Sequence, residues 1–191
     1  DPVSPGEMYA QEQDWLMEER GVEAFGRLGF ENAYAFATTP ETAARLGLES
    51  IADMAGTGAS LASDPEFFGR SEWTRTRDAY GLEDVRPRGM DPTFMYDAAR
   101  SGEVDVVTAY TTDGRIDAFE LVLLEDTLGV LPPYDTFLML GPEADDALRA
   151  ALEPLRGSIS SAQMRRANAM VDLERLSVSE AGEWLWGEVR E

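Results

Sequence analysis

The chain of 191 residues contains no histidine and no cysteine, and every basic side chain is arginine because lysine is absent too. Without imidazole or thiol there is no Ser-His-Asp or Cys-His nucleophile and no imidazole or thiolate metal site. Without a primary amine there is no Schiff-base lysine and no phosphate-binding lysine of the Walker type. Carboxylate chemistry stays open, either as paired-acid glycoside hydrolysis or as an all-oxygen calcium site. No D-x-D-x-D-G loop makes calcium specific, and the spacing of Glu66, Glu72 and Asp113 places no two carboxylates across a cleft. No cofactor or metal is expected. Lack of cysteine fits a reducing compartment and a disulfide-free exported protein equally. No run approaches the ~20 apolar residues of a membrane span, and no basic, apolar leader opens the chain, so a soluble segment, mature or trimmed, without direct membrane insertion is expected.

Positive charge is also scarce: 16 basic residues stand against 37 acidic ones, for a formal net charge of -21. Such a surface repels phosphate backbones and anionic headgroups, which argues against nucleic acid and peripheral membrane attachment. A cationic or zwitterionic ligand remains compatible. Most of the acids are read as solvated surface, with adaptation to high salt as one reading. The hydrophobic content of 43% suffices for one substantial core or two smaller ones.

What is present reads as alternating strands and helices. Residues 5–20 have loosely helical spacing and stop at Gly21, and a short strand is expected over 32–37. Thr39-Pro40-Glu41 opens a helix ending near Gly47, and another short helix starts at Ser50. "GASLASD" reads as a strand, "SEWTRTRDAYGL" as a helix, and "EDVRPRGM" as a strand whose proline marks an edge or an exit. Asp91-Pro92 caps a helix whose inward face is read as Phe94, Met95 and Ala98, and a strand at 104–109 follows. "AFELVLLED" and "TFLML" read as strands. The remainder is helical, with capping boxes at Ser160/Gln163 and Ser177/Glu180. The stripe Val178, Ala181, Trp184, Leu185 and Val189 is read as core.

The order and spacing of "LGFENAYAFA", "SIADMA", Asp-Pro-Glu-Phe-Phe-x-Arg at 64–70, "DAYGL", "GMDPTFMYDAARSGEVDVVTAYTTDGRI", "LVLLED", "LPPYD", "GSIS" and "AQMRRANAMVDLE" resemble the substrate-binding proteins of ABC importers for glycine betaine, choline and related compatible solutes. The resemblance spans nearly the whole chain. It implies an α/β periplasmic-binding-protein fold of type II, with two lobes of parallel or mixed sheet flanked by helices and closing around a hinge. Residues 1–37 would be the entry helix and hinge strand, 38–108 the second lobe, and 109–191 the hinge return and the C-terminal part of the first lobe. The N-terminal part of the first lobe is expected to be absent from this chain.

The resemblance also implies a non-enzymatic role. Such a protein captures a quaternary ammonium or betaine ligand outside the cell membrane, free, lipid-anchored or fused to its transporter, and presents it to an ABC permease. Tyr110, Tyr134 and Tyr34 match walls of an aromatic cage, Asn32 matches a contact near the cation, and Arg70 matches the arginine that fixes a ligand carboxylate. The physics fits: a trimethylammonium group donates no hydrogen bonds and is selected by electron-rich ring faces. A guanidinium holds a carboxylate by parallel charge-assisted bonds. From the residues alone, a tyrosine at a strand end reads equally as a half-buried ring, an arginine on an acidic chain as surface, and Thr111, Thr112 and Asp113 as a turn. Two positions depart from the pattern: Thr108 stands where many relatives carry an acid, and Ala33 replaces a hydroxyl residue. Rival readings are an incomplete structural or interaction domain that needs a partner segment, and a carboxylate-based enzyme.

Overall fold

The computed structural model describes residues 5–190. In chain order the elements are α1 (Pro5–Arg20), β1 (Glu23–Glu31), β2 (Tyr34–Thr38), α2 (Pro40–Leu46), β3 (Ser60–Ser63), α3 (Ser71–Tyr80), β4 (Arg86–Gly89), α4 (Pro92–Ser101), β5 (Val106–Tyr110), α5 (Arg115–Ala118), β6 (Val122–Leu124), β7 (Asp135–Leu140), α6 (Asp146–Leu152), α7 (Ser161–Asp172) and α8 (Val178–Val189). They form two compact units, one made of the residues up to Ala33 and from Pro133 onward, the other of Tyr34–Pro132.

The second unit is built on a five-stranded sheet in the order β4-β3-β5-β2-β6. β3 runs parallel to β4 and β5, whereas β2 is antiparallel to β5 and β6. The sheet is thus mixed, and the strand-helix alternation of the sequence accounts only for its parallel part. Period-2 alternation assigns side chains to two separate cores. Phe36, Leu61 and Val106 belong to one cluster with Ile51, Phe67 and Trp73. Their sequence neighbours Ala37, Ala62 and Val107 belong to the other, with Met95, Ala98 and Ala99 of α4. Burial on both faces explains why these strands read as nearly continuous apolar runs. Edge strand β4 is exposed throughout, where Pro87 costs no internal ladder bond.

Helix ends follow local chemistry. Thr39 accepts from the Thr42 amide ahead of Pro40, and Gly47 closes α2 in the left-handed region. Asp91 does the same for Thr93 ahead of Pro92, and both expected capping boxes form at α7 and α8.

Four expectations are corrected here. The second unit runs to 132 instead of ending at 108, because β6 pairs with β2 and Leu121 and Leu124 join the two cores. Phe94 is 62% exposed, since Tyr96 and Ala99 take the inward face of α4 beside Met95 and Ala98. The strand expected from Ala118 is reduced to Val122–Leu124, with α5 before it and Glu120 at φ 52 between them. Of the α8 stripe only Ala181 is buried, and Val178 is 76% exposed.

In the first unit β1 pairs with β7 in an antiparallel two-stranded sheet. Tyr9 of α1 anchors the helix by donating to the Ala24 carbonyl at 2.9 Å and meets Phe137 edge-on at 5.4 Å. The Arg27 guanidinium lies 4.8 Å from the Tyr9 ring centre, and Arg149 pairs with Glu23.

Candidate functional site

The strand that begins as "DVVTAY" ends at Tyr110, and its antiparallel neighbour begins at Tyr34, so the register places the two tyrosines directly opposite each other. Their ring centres are 4.9 Å apart with the planes inclined by 32°, and the Tyr110 hydroxyl donates to that of Tyr34 at 3.1 Å. Tyr34 is buried while Tyr110 is 44% exposed, so the pair runs from the core to the surface. Behind Tyr34 stands fully buried Phe67, with ring centres 4.9 Å apart. Burial first, and then the hydrogen bond from Tyr110, push the Tyr34 phenol well above its ordinary pKa, so it stays neutral.

Phe67 owes its place to the turn after β3, where Asp64 accepts from the Phe67 amide at 3.0 Å. The single helical turn Phe67–Gly69 then delivers Arg70 to the N-cap position of α3. One terminal guanidinium nitrogen of Arg70 donates to Glu66 at 2.6 Å. Its Nε is buried and has no hydrogen-bond partner among the described residues.

Tyr34, Arg70 and Tyr110 line one cavity of about 520 Å³ together with Tyr96, Asp113 and Arg115. That volume lies within the ~300–1,000 Å³ typical of small-molecule sites. Tyr96 is buried on α4; burial first, and then the Asp113 carboxylate, push its phenol far above the ordinary range. The Arg115 guanidinium lies 5.6 Å from the Tyr96 ring centre and 3.3 Å from Asp113. Asp113 also accepts from the Arg115 amide at 2.8 Å, so "TTDGR" builds its turn and contributes to the cavity at once. Thr108, at the departure from the family pattern, is buried and shares a 2.6 Å hydroxyl hydrogen bond with Ser63.

Asn32 and Tyr134 belong to the first unit and do not line this cavity. The Asn32 amide donates to the Tyr134 carbonyl at 3.0 Å, which holds the two residues together there. Tyr96 and Arg115 escaped the sequence reading. Tyr96 lay within a helix read as core, and Arg115 within a turn; the motif Thr-Asp-Gly-Arg was the available signal.

Chemically, the cavity offers stacked phenol faces suited to a cation and an arginine suited to an anion, and no cluster of metal-ligating side chains occurs among the described residues.

Residues 2–185 match a protein family described as the substrate binding domain of ABC-type glycine betaine transport systems. A glycine-betaine-binding protein of Pseudomonas aeruginosa is 30% identical over 177 residues, covering 84% of this chain and 57% of that protein. The carnitine transport binding protein OpuCC of Listeria monocytogenes is 29% identical over 155 residues, covering 78% and 50% respectively. The chain thus spans about half the length of the curated relatives it matches. A crystal structure of a glycine betaine/carnitine/choline ABC transporter protein superposes with a TM-score of 0.88 at 28% identity, over 98% of this chain and 72% of the other.

Proposed function

The chain belongs to the substrate-binding domain family of ABC-type glycine betaine transport systems, a family of binding proteins and not of enzymes, and we propose that it captures a quaternary ammonium osmolyte through the rings of Tyr34 and Tyr110. Its fold is the type II periplasmic-binding-protein fold of its structural neighbours. The observation that carries the proposal is the stacked cross-strand tyrosine pair opening into a cavity that also holds Arg70.

A methylated ammonium resting on the ring faces gains ~0.5 to 2 kcal/mol per ring where water is excluded. The Tyr34 phenol stays neutral at physiological pH, and its hydrogen bond with Tyr110 fixes the orientation of both rings, so little rotamer freedom is lost on binding. Where the ligand is a betaine, Arg70 receives its carboxylate. Delivery to an ABC permease, on the outer face of the cell membrane, completes the role. No helix among the described residues is long and apolar enough to cross a membrane.

Calorimetric titration with glycine betaine, choline and unmethylated glycine tests the proposal. Saturable heat with a methylated ligand and none with glycine is expected. Equal binding of glycine and glycine betaine would contradict it, because ring faces discriminate by the methylated cation.

A further inference from the structure

Arg70 is not an unoccupied anion receptor. Its terminal nitrogen already donates to Glu66 at 2.6 Å, in an ion pair of i, i+4 spacing, while its buried Nε faces no acceptor among the described residues. The other arginine of the cavity carries a carboxylate too, since Arg115 lies 3.3 Å from Asp113. Each guanidinium lining the cavity therefore has an acidic side chain of the protein beside it. Counting Asp64, Glu66, Asp113, Arg70 and Arg115, acids outnumber bases in the lining.

Resting on the assignment of Arg70 to the ligand carboxylate, we infer that Glu66 is an internal competitor for Arg70 and thereby sets the selectivity between carboxylate-bearing and carboxylate-free quaternary ammonium ligands. A ligand of the choline class occupies the tyrosine faces with the Arg70–Glu66 pair intact. A betaine brings a second carboxylate to the same guanidinium. Two-point capture of that carboxylate requires it to displace Glu66 or to share the guanidinium with it. Either course sets like charges close together, and the Glu66 side chain, 76% exposed, is free to swing into water once displaced. The pair is exposed, so its competition is modest. Glu66 therefore tunes a preference between ligand classes and does not exclude one.

The test compares the intact chain with Glu66→Gln, which keeps shape and removes charge, in titrations with glycine betaine and with choline. Tyr110→Ala is run beside them. Since Glu66 is exposed, Glu66→Gln is expected to fold like the parent, with an unchanged circular dichroism melt. The expected result is that Glu66→Gln tightens glycine betaine about three- to fivefold relative to choline, the effect shrinking as salt is raised. If the betaine-to-choline affinity ratio stays the same or falls while Tyr110→Ala still weakens both, the competitor role is overturned and the tyrosine reading stands. If the parent binds neither ligand, the tyrosine reading fails and the inference falls with it.

Discussion

Tyr110 donates its hydroxyl proton to Tyr34 at 3.1 Å across a register that sets the two residues directly opposite on β5 and β2. The bond joins an exposed ring to one that is buried against Phe67, so its two ends respond differently to mutation. Tyr34→Phe removes the hydroxyl that accepts from Tyr110, which regains a partner in water, so a cost of about 0.5–1.5 kcal/mol is expected. Tyr34→Ala empties a buried site and is expected to cost about 3–5 kcal/mol. Denaturant melts of both variants check the contrast.

A second prediction concerns Asp105, which ties three strands and a helix into one network. Its carboxylate accepts from the Ser60 amide at 2.8 Å, from the Ser60 hydroxyl at 2.7 Å and from Arg45 at 2.6 Å. The Asp105 carbonyl meanwhile accepts from Thr38 at 2.6 Å. Burial alone would raise the pKa, but the Ser60 and Arg45 contacts outweigh it and hold the carboxyl below its ordinary range. A depressed folded value means stability that is present above the unfolded pKa and lost as pH falls through the folded one. Asp105→Asn is expected to cost about 1–3 kcal/mol near neutrality, with parent and variant converging below about pH 4. Melts across that range decide it.

The phenols give the opposite sign. Burial is the largest cause that raises the pKa of Tyr9, Tyr34, Tyr80 and Tyr96. Their contribution to stability is whole below the ordinary phenol value of about 10 and is lost as pH rises through the folded values. An absorbance titration is expected to show these phenols ionising late in the native chain, followed by alkaline unfolding. In denaturant these four phenols are expected to titrate together near the ordinary value of about 10. A native curve that superposes on the denatured one would contradict the burial seen here.

Helix ends in both units are legible in the sequence. The caps at Thr39-Pro40, Asp91-Pro92, Ser160/Gln163 and Ser177/Glu180 are local chemistry, and local chemistry is written in adjacent residues. β1 was missed because Gly26 and Gly29 break its alternation. At Gly29 the structure turns that interruption into a requirement, since φ is +112° and a Cβ would meet the Ile159 carbonyl at 2.8 Å, whereas a Cβ on Gly26 would meet only the flexible, half-exposed Arg156 side chain. Those glycines mark the close approach of the "RGSIS" segment, a long-range fact that no window around β1 contains. The antiparallel pairing of β2 with β5 was hidden for a similar reason, since Phe36 and Thr108 are far apart in sequence. For the site, Tyr34, Arg70 and Tyr110 are named from family resemblance, while Tyr96 falls outside the inward face of Phe94, Met95 and Ala98 that the sequence pattern assigns to its helix.

The acidic surface yields a fourth prediction. With a net charge of -21, self-repulsion destabilises the compact state, and salt screens repulsion between exposed charges. Raising sodium chloride from about 0.05 M to about 1 M, which shortens the screening length several-fold, is expected to raise the melting temperature. Unchanged melting over that range would remove the link between acidity and a saline habitat.

The central claim is that the Tyr34–Tyr110 pair binds a quaternary ammonium by its ring faces, and the most direct test is calorimetry of Tyr110→Ala and Tyr110→Phe against glycine betaine and choline. The account predicts that Tyr110→Ala loses ~0.5 to 2 kcal/mol or more of affinity for whichever ligand the parent binds, while Tyr110→Phe, which keeps the ring, retains most of it. Parent-like binding by Tyr110→Ala, in a chain shown to be folded, would contradict it.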